Sequence, residues 1–424
     1  MPTDASFPDA LPSTRDLTRI FGRIGVLSFG GPAAQIALMH RELVDERPWL
    51  TEKQFLNALS FCMLLPGPEA MQLATYAGWR LRGVTGGLIA GGLFVLPGAA
   101  VILALSLIYA WLGNVPLVQA MFLGVKAAVV IIVIEALLKV AKRALKGRDH
   151  WIISGLSFVG IFALHLPFPL IIAAAAAWGA LTSGDRTAPG PPEVKANTLG
   201  TIATWLALWL APIAALWASG AALLTDVALF FSKLAVVTFG GAYAVLAYMT
   251  QEVVQDYGWL TTAQMMDGLG LAETTPGPLI LVTQFVGFIA GDGAGGTGLA
   301  LAAALVTLWV TFVPCFLWIF AGAPYIEWIS AQPRLSAALN AITAAVVGVI
   351  ANLSIWFATH VFFATVGEVS LGPVRLIAPE LATLNLTALA LAVIAGVLIL
   401  RLKWSLPATL AVAAGLGLAL QTVG

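Results

Sequence analysis

The stretch LLPGPEA, residues 64–70, breaks an apolar run long enough to cross a bilayer, and TTPGPLI, residues 274–280, breaks a second one 210 positions later. Proline lacks a backbone N–H, and its ring clashes with the carbonyl one turn back, so neither run continues as one regular helix. Non-helical backbone at membrane depth is tolerated only where it is buried in protein or lines a cavity. Two such breaks at one spacing therefore demand half-length helices gathered around a shared interior.

That the runs lie in a membrane is a consequence of composition. The 424 residues are 60 % hydrophobic and 10 % charged, against about 25 % charged in a soluble domain. The formal net charge is zero, so no basic field points to nucleic acid. Cys62 and Cys315 both sit in apolar runs and read as buried thiols. The first sixteen residues carry acids and prolines without an apolar core, so no cleaved signal peptide is expected. No phosphate loop, HExxH or CxxC is present, which argues against an ATP-driven pump or a metalloenzyme; no cofactor and no metal are expected.

A spanning helix needs about 20 apolar residues. Candidate segments fall near 20–41, 54–80, 84–112 and 117–138, with 151–181 interrupted by HLPFP and read as two short helices. A polar, proline-rich linker occupies 183–199. Further segments fall near 200–223, 228–251, 263–290, 297–322, 336–363, 385–400 and 404–422. All are expected to be helices, since strand alternation is missing.

The chain repeats itself. Shifted by 210, SFGGPAAQIALMHRELVDERPWLTEKQ falls on TFGGAYAVLAYMTQEVVQDYGWLTTAQ, and Pro66-Gly67-Pro68 on Pro276-Gly277-Pro278. At 217 the match resumes, with KAAVV (126–130) on TAAVV (343–347). The expected organisation is a first repeat over 1–182, the linker 183–199, a connecting helix over 200–226, and a second repeat over 227–424. Arg15, Arg19 and Arg23, then Arg80 and Arg82, then Lys139, Lys142, Arg143, Lys146 and Arg148 mark three cytoplasmic ends. The helix near 200–223 then inverts the segments after it, placing Arg334, Arg401 and Lys403 inside. The fold class expected is an all-α integral membrane protein of about thirteen transmembrane helices, as two inverted-topology repeats with helices broken at the midplane. A short pair at 151–181 forming a re-entrant hairpin would change that count.

Inverted repeats with broken helices are a recurring plan of secondary transporters, with the site where the breaks meet. Pro68 suits the first position of a helix, leaving the N–H groups of Glu69, Ala70 and Met71 free; Leu279, Ile280 and Leu281 repeat the arrangement. A helix N-terminus carries about half a positive charge and free donors, so two together suit a small oxyanion. Gly30 and Gly31, with Gly240 and Gly241, are expected to break the first helix of each half likewise. A packing kink is the alternative at any one break.

Ionisable groups deep in apolar runs are functional candidates. Lys126 is the candidate countercharge, the alternatives being snorkelling or pairing with a neighbouring acid. Glu69, Glu135, Asp267 and Glu273 are the proton-coupling candidates, with Glu69 alternatively a first-turn acid favoured by the helix dipole. Gln72, Gln284, Thr274 and Thr275 offer neutral hydrogen bonds. Lys233 and Arg80 read as interface markers, and His40 and His165 as satisfied polar residues. The repeat partners of Lys126 and Glu135 are Thr343 and Asn352, so the charged version belongs to the first half alone.

FGGP (29–32), Trp49-Leu50-Thr51 and LLPGPEA with Gln72, repeated as FGG (239–241), WLT (259–261) and TTPGP (274–278), resemble the chromate ion transporter family in its long, two-domain form. The resemblance covers about 15–345 and implies an inner-membrane protein that exports chromate, with sulfate as a chemical analogue. It carries over onto Gly30, Gly31, Pro66, Gly67, Pro68, Glu69 and Gln72. The second half has Leu279 where Glu69 stands, so the two sites need not be equivalent. The partners implied are a small inorganic oxyanion and the lipid bilayer; the oligomeric state stays open, a homodimer included.

A dianion leaving an interior-negative cell gains about 4.6 kcal/mol at 100 mV, which favours export; proton-coupled uptake of a sulfate-type anion is the alternative. An intramembrane enzyme using Glu69, Glu273 and Asp267 is the rival of another class, weakened by only four scattered histidines.

Overall fold

The computed structural model describes residues 11–423 apart from 114, 184–196, 240 and 373, so Gly240 and most of the linker lie outside the described residues. The first half contains α1 (Thr14–Leu27), α2 (Gly31–His40), α3 (Glu52–Cys62), α4 (Glu69–Leu112), α5 (Pro116–Ala144), α6 (Arg148–Phe162) and α7 (Phe168–Thr182). The helix α8 (Thr198–Ala218) comes next. The second half has α9 (Ala222–Val237), α10 (Ala242–Gln251), α11 (Thr262–Thr274), α12 (Val282–Gly322), α13 (Ile326–Ser330), α14 (Pro333–Phe362), α15 (Leu386–Gly396) and α16 (Leu406–Val423). By length and composition, five helical stretches among the described residues suffice to cross a membrane.

The repeated WLTxxQ sequence is a helix start. Thr51 accepts the Gln54 N–H while the Gln54 side chain accepts the Thr51 N–H, and Thr261 and Gln264 form the same capping box. This fixes where α3 and α11 begin, and therefore where each reaches its proline break.

The broken segments do not pass straight through their breaks. Arg23 on α1 pairs with Glu42, beyond α2, at 3.4 Å. The rings of Phe61 on α3 and Tyr76 on α4 lie 6.5 Å apart, and those of Phe230 on α9 and Tyr257, beyond α10, lie 5.4 Å apart. Continuous helix would hold Phe230 and Tyr257 roughly 40 Å apart at 1.5 Å per residue. Gly268 on α11 packs on the Phe285 ring of α12 in the same way. So 20–41, 54–80, 228–251 and 263–290, each expected as one crossing, are hairpins bent at their elbows. Hydropathy reports an apolar run but not its direction, and glycines at positive φ supply the bend: Gly30 at 86°, Gly67 at 116°, Gly241 at 105° and Gly277 at 87°.

Two more reversals sit inside α4 and α12, at Arg82–Gly83 and Gly295–Gly296. The stretches of helix on either side approach so closely that a Cβ on Gly78 would overlap the Gly86 carbonyl. Within α4 and α12, the stretches 84–112 and 297–322 run on as long helices. A further departure from the all-helix expectation is a β-hairpin, β1 (Val366–Leu371) antiparallel to β2 (Val374–Pro379). It is tied to the α6–α7 connection by the Arg375 N–H, which donates to the Ala163 carbonyl at 2.9 Å. The pair at 151–181 is two helices, as expected.

The halves exchange elements across one continuous apolar core. α6 and α7 pack along α14 of the second half, and α15 and α16 pack along α5 of the first.

Candidate functional site

The four elbows meet. The Gly67 N–H donates to the Thr238 carbonyl at 2.8 Å, and the Gly277 N–H donates to the Ser28 carbonyl at 2.8 Å. Each PGP elbow is thus closed by the other half's FGG elbow. Gln35, fully buried on α2, reinforces one of these joints: its Nε2 donates to the carbonyls of Gly277 (2.7 Å) and Ser28 (3.2 Å). Gln72 ties its own elbow by donating to the Pro66 carbonyl at 2.7 Å. A Cβ on Gly98 would overlap the Pro276 carbonyl, so α4 also presses on the second elbow.

Beside the elbows lies a cavity of about 400 Å³. Gly30 and Gly31 from the start of α2, Gly67 and Glu69 from the start of α4, Gly241 to Tyr243 from the start of α10, and Leu279 from the turn leading into α12 all line it. A smaller adjoining space is bounded by Gln35, Pro68, Ala70, Pro278 and Ile280. Four helix N-termini converge here, two from the PGP breaks and two from the FGG breaks. At about half a charge each they supply roughly two positive charges. From the α5 side the cavity receives Glu135, Lys139 and Arg143, with Thr343 opposite. Lys139 pairs with Glu135 at 2.9 Å, and Arg143 reaches the Met63 sulfur at 3.1 Å.

The remaining expected residues fall elsewhere. Lys126 does not line the cavity; its Nζ lies 3.1 Å from Asp267 Oδ1, and the Tyr109 hydroxyl donates to Asp267 Oδ2 at 2.9 Å. This buried group links α5 and α4 of the first half to α11 of the second. Of the two alternatives for Lys126, the structure selects pairing with an acid, though one 141 residues away. Glu273 is buried and accepts the Tyr243 hydroxyl at 2.9 Å, which places it one side chain behind the cavity wall. Thr274 and Thr275 spend their hydroxyls on the carbonyls of Leu271 and Ala272. His40 bridges Glu52 and Asp45 and is satisfied, as expected; His165 Nδ1 is buried without a partner among the described residues, contrary to expectation. Lys233 lies over the Tyr248 ring.

Sequence reasoning misses Gln35 and Tyr243. Both stand in the quoted repeat, within five residues of its glycines, as polar groups in an apolar run. Lys139 and Arg143 read in the sequence only as markers of a membrane face.

Comparison with known proteins gives one consistent answer. The chromate transporter family matches residues 15–180 and 225–418. A chromate transport protein of Pseudomonas aeruginosa is 33 % identical over 83 % of this chain and 83 % of its own length. A probable chromate transport protein of Synechococcus elongatus is 32 % identical over 80 % of this chain and 83 % of its own. A chromate transport protein of Cupriavidus metallidurans is 32 % identical over 79 % and 80 %. No solved structure matches. With both halves matched and the relatives covered over most of their length, this chain belongs to the chromate transporter family.

Proposed function

We propose that this chain exports chromate, as a tetrahedral dianion, from the cytoplasm through the cavity at the four elbows. The observation that carries the proposal is the convergence of four helix N-termini, whose combined charge of about two complements a dianion. Backbone donors suit an oxyanion that must also leave, since they hold it without a buried cation directly beneath. Membership in a transporter family also argues against the enzyme reading, and Asp267 and Glu273 are each committed to different partners.

In this proposal the repeats over 1–182 and 227–424 have inverted topology, supported by the two blocks of the family match and by the reciprocal elbow bonds. The basic residues assign the bases of the first two hairpins, with Arg82 donating to the Pro12 carbonyl at 2.7 Å, to the cytoplasm. Replacing four crossings by hairpins removes two from each half, so the inversion supplied by α8 is preserved. Lys139 and Arg143 then lie at the cytoplasmic mouth of the cavity and gather anions from that side.

Glu69 lines the same cavity as the anion. We assign it the coupling role: it carries a proton while the anion is seated and releases it as the anion leaves. Glu273, behind Tyr243, is its counterpart in the second half. Export of a dianion down an interior-negative potential of 100 mV yields about 4.6 kcal/mol before any proton contribution.

The test is chromate efflux from preloaded cells expressing this protein with the membrane potential set or collapsed, with sulfate as competitor. Potential-dependent efflux that sulfate inhibits and Gly67→Ala abolishes supports the proposal. Chromate accumulation in place of efflux overturns the direction, and no chromate movement overturns the cargo.

A further inference from the structure

A second cavity, of about 150 Å³, lies between α10, α14, the α6–α7 connection and β1. That is several times the roughly 30 Å³ one water occupies in the liquid. α14 lines it with Asn352, Leu353, Trp356 and His360. Shifted back by the 217 positions that align the later part of the repeat, these are Glu135, Ala136, Lys139 and Arg143, four of the six residues with which α5 lines the first cavity. The same positions of repeat-related helices thus face both cavities. In an inverted pair, the second opens toward the opposite side of the membrane.

The chemistry of the second cavity is specific. His165 Nδ1 is buried there without a partner among the described residues, and His165 holds φ at 50°, backbone that few non-glycine residues adopt. His360 Nδ1 lies 2.8 Å from the Trp356 carbonyl, which leaves Nε2 for a ligand. Glu368 on β1 is the other ionisable side chain lining the space. Glu252 and Asp256 after α10, and Arg375 on β2, belong to neighbouring elements but do not line it.

We propose that this cavity is the outer mouth of the path, an anion subsite where His360, with His165 and Asn352, holds a tetrahedral oxyanion beneath the β-hairpin before release. This rests on the proposed transport function. His360 stands where the inner mouth has Arg143. Arginine stays charged at every physiological pH, whereas an imidazole changes charge between about pH 5 and 8. The inner mouth therefore gathers anions at any cytoplasmic pH, and the outer mouth lets them go where the His360 imidazole is neutral. Acidifying the outside charges His360, retains the anion and slows net export; Glu368 opposes that retention.

Two measurements test it. Asn352→Cys, in a chain whose Cys62 and Cys315 are changed to alanine, is treated with a membrane-impermeant maleimide from either side. Labelling from outside, slowed by sulfate, is expected; labelling only from the cytoplasm, or none before denaturation, overturns the proposal whatever the cargo. In the second, chromate efflux is followed as external pH falls from about 7.5 to about 5.5, across the imidazole range. A several-fold slowing is expected for a Glu69→Gln chain, in which the proposed proton coupling is removed, none when His360→Gln is added, and slow efflux at every pH when His360→Arg is added instead. A Glu69→Gln, His360→Gln chain that keeps the slowing overturns it. A chain that moves no oxyanion at all refutes the transport reading and the anion role with it, while the labelling result still decides whether the cavity opens outward.

Discussion

Gly67 and Thr238 are joined by a backbone hydrogen bond of 2.8 Å, and their repeat counterparts Gly277 and Ser28 by another of the same length. Each half closes the elbow of the other, so the site exists only in the assembled pair. Parting the halves would leave three of these four backbone groups without a protein partner, Ser28 keeping its bond from Gln35.

The two proline-flanked glycines should not tolerate alanine equally. At Gly67, φ is 116° and a Cβ would stand 2.9 Å from Gln72 Nε2 and 3.0 Å from Cys315 Sγ. At Gly277, φ is 87° and the nearest atom is the flexible end of Leu281 at 3.2 Å. Strain of about 1–3 kcal/mol is expected at either, with crowding added at Gly67. Gly67→Ala should lower both the melting temperature and transport more than Gly277→Ala, measured in detergent and in cells respectively.

Gln35 spans the joint between Ser28 and Gly277. Gln35→Leu keeps the volume but leaves the Gly277 carbonyl without its side-chain donor, at a cost of about 1–3 kcal/mol. The expected result is a folded protein with lower thermal stability and faster amide hydrogen exchange at Thr275, Gly277 and Leu279. An unchanged exchange rate there would refute the clamp.

Lys126 and Asp267 should behave as a pair and not as an anion site. Removing one partner strands a buried charge, at about 3–5 kcal/mol. Asp267→Asn or Lys126→Met alone should destabilise strongly, and the combined change should recover most of the loss. Thermal unfolding of the four chains gives the coupling; additive losses would show that the ion pair does not bind the halves.

In the proposed function Arg143 and Lys139 gather anions at the cavity mouth and do not hold the seated anion itself. Arg143→Gln should raise KM for the anion several-fold with little change in kcat, and the difference should shrink as cytoplasmic salt rises, because exposed charges are screened within about 8 Å at physiological ionic strength. Initial rates in inverted vesicles at two ionic strengths check this.

Glu69 is expected to couple the proton. Glu69→Gln should leave potential-driven chromate movement in place while abolishing its response to a pH gradient imposed by changing the pH on the cytoplasmic side alone, read in the same vesicles. A retained pH response would move the coupling role to Glu273.

Much of this is legible in the residues themselves. An apolar run, its basic ends and a 210-residue repeat fix membrane class, helix content and duplication, because burial in lipid is decided by side-chain chemistry along the chain. The capping boxes at Thr51 and Thr261 and the elbows at Gly30, Gly67, Gly241 and Gly277 are marked by local sequence, since caps and positive φ are local properties. Direction after each elbow is not. A straight continuation and a reversal bury similar apolar surface, and only the opposite half, pressing Thr238 on Gly67 and Ser28 on Gly277, selects the reversal. Partners are equally hidden: Lys126 meets Asp267, and His165 and His360 meet in one cavity, across chain separations that periodicity cannot register. Sequence determined which residues are polar at depth; the packing of one half into the other decided which of them pair and which are left facing a cavity.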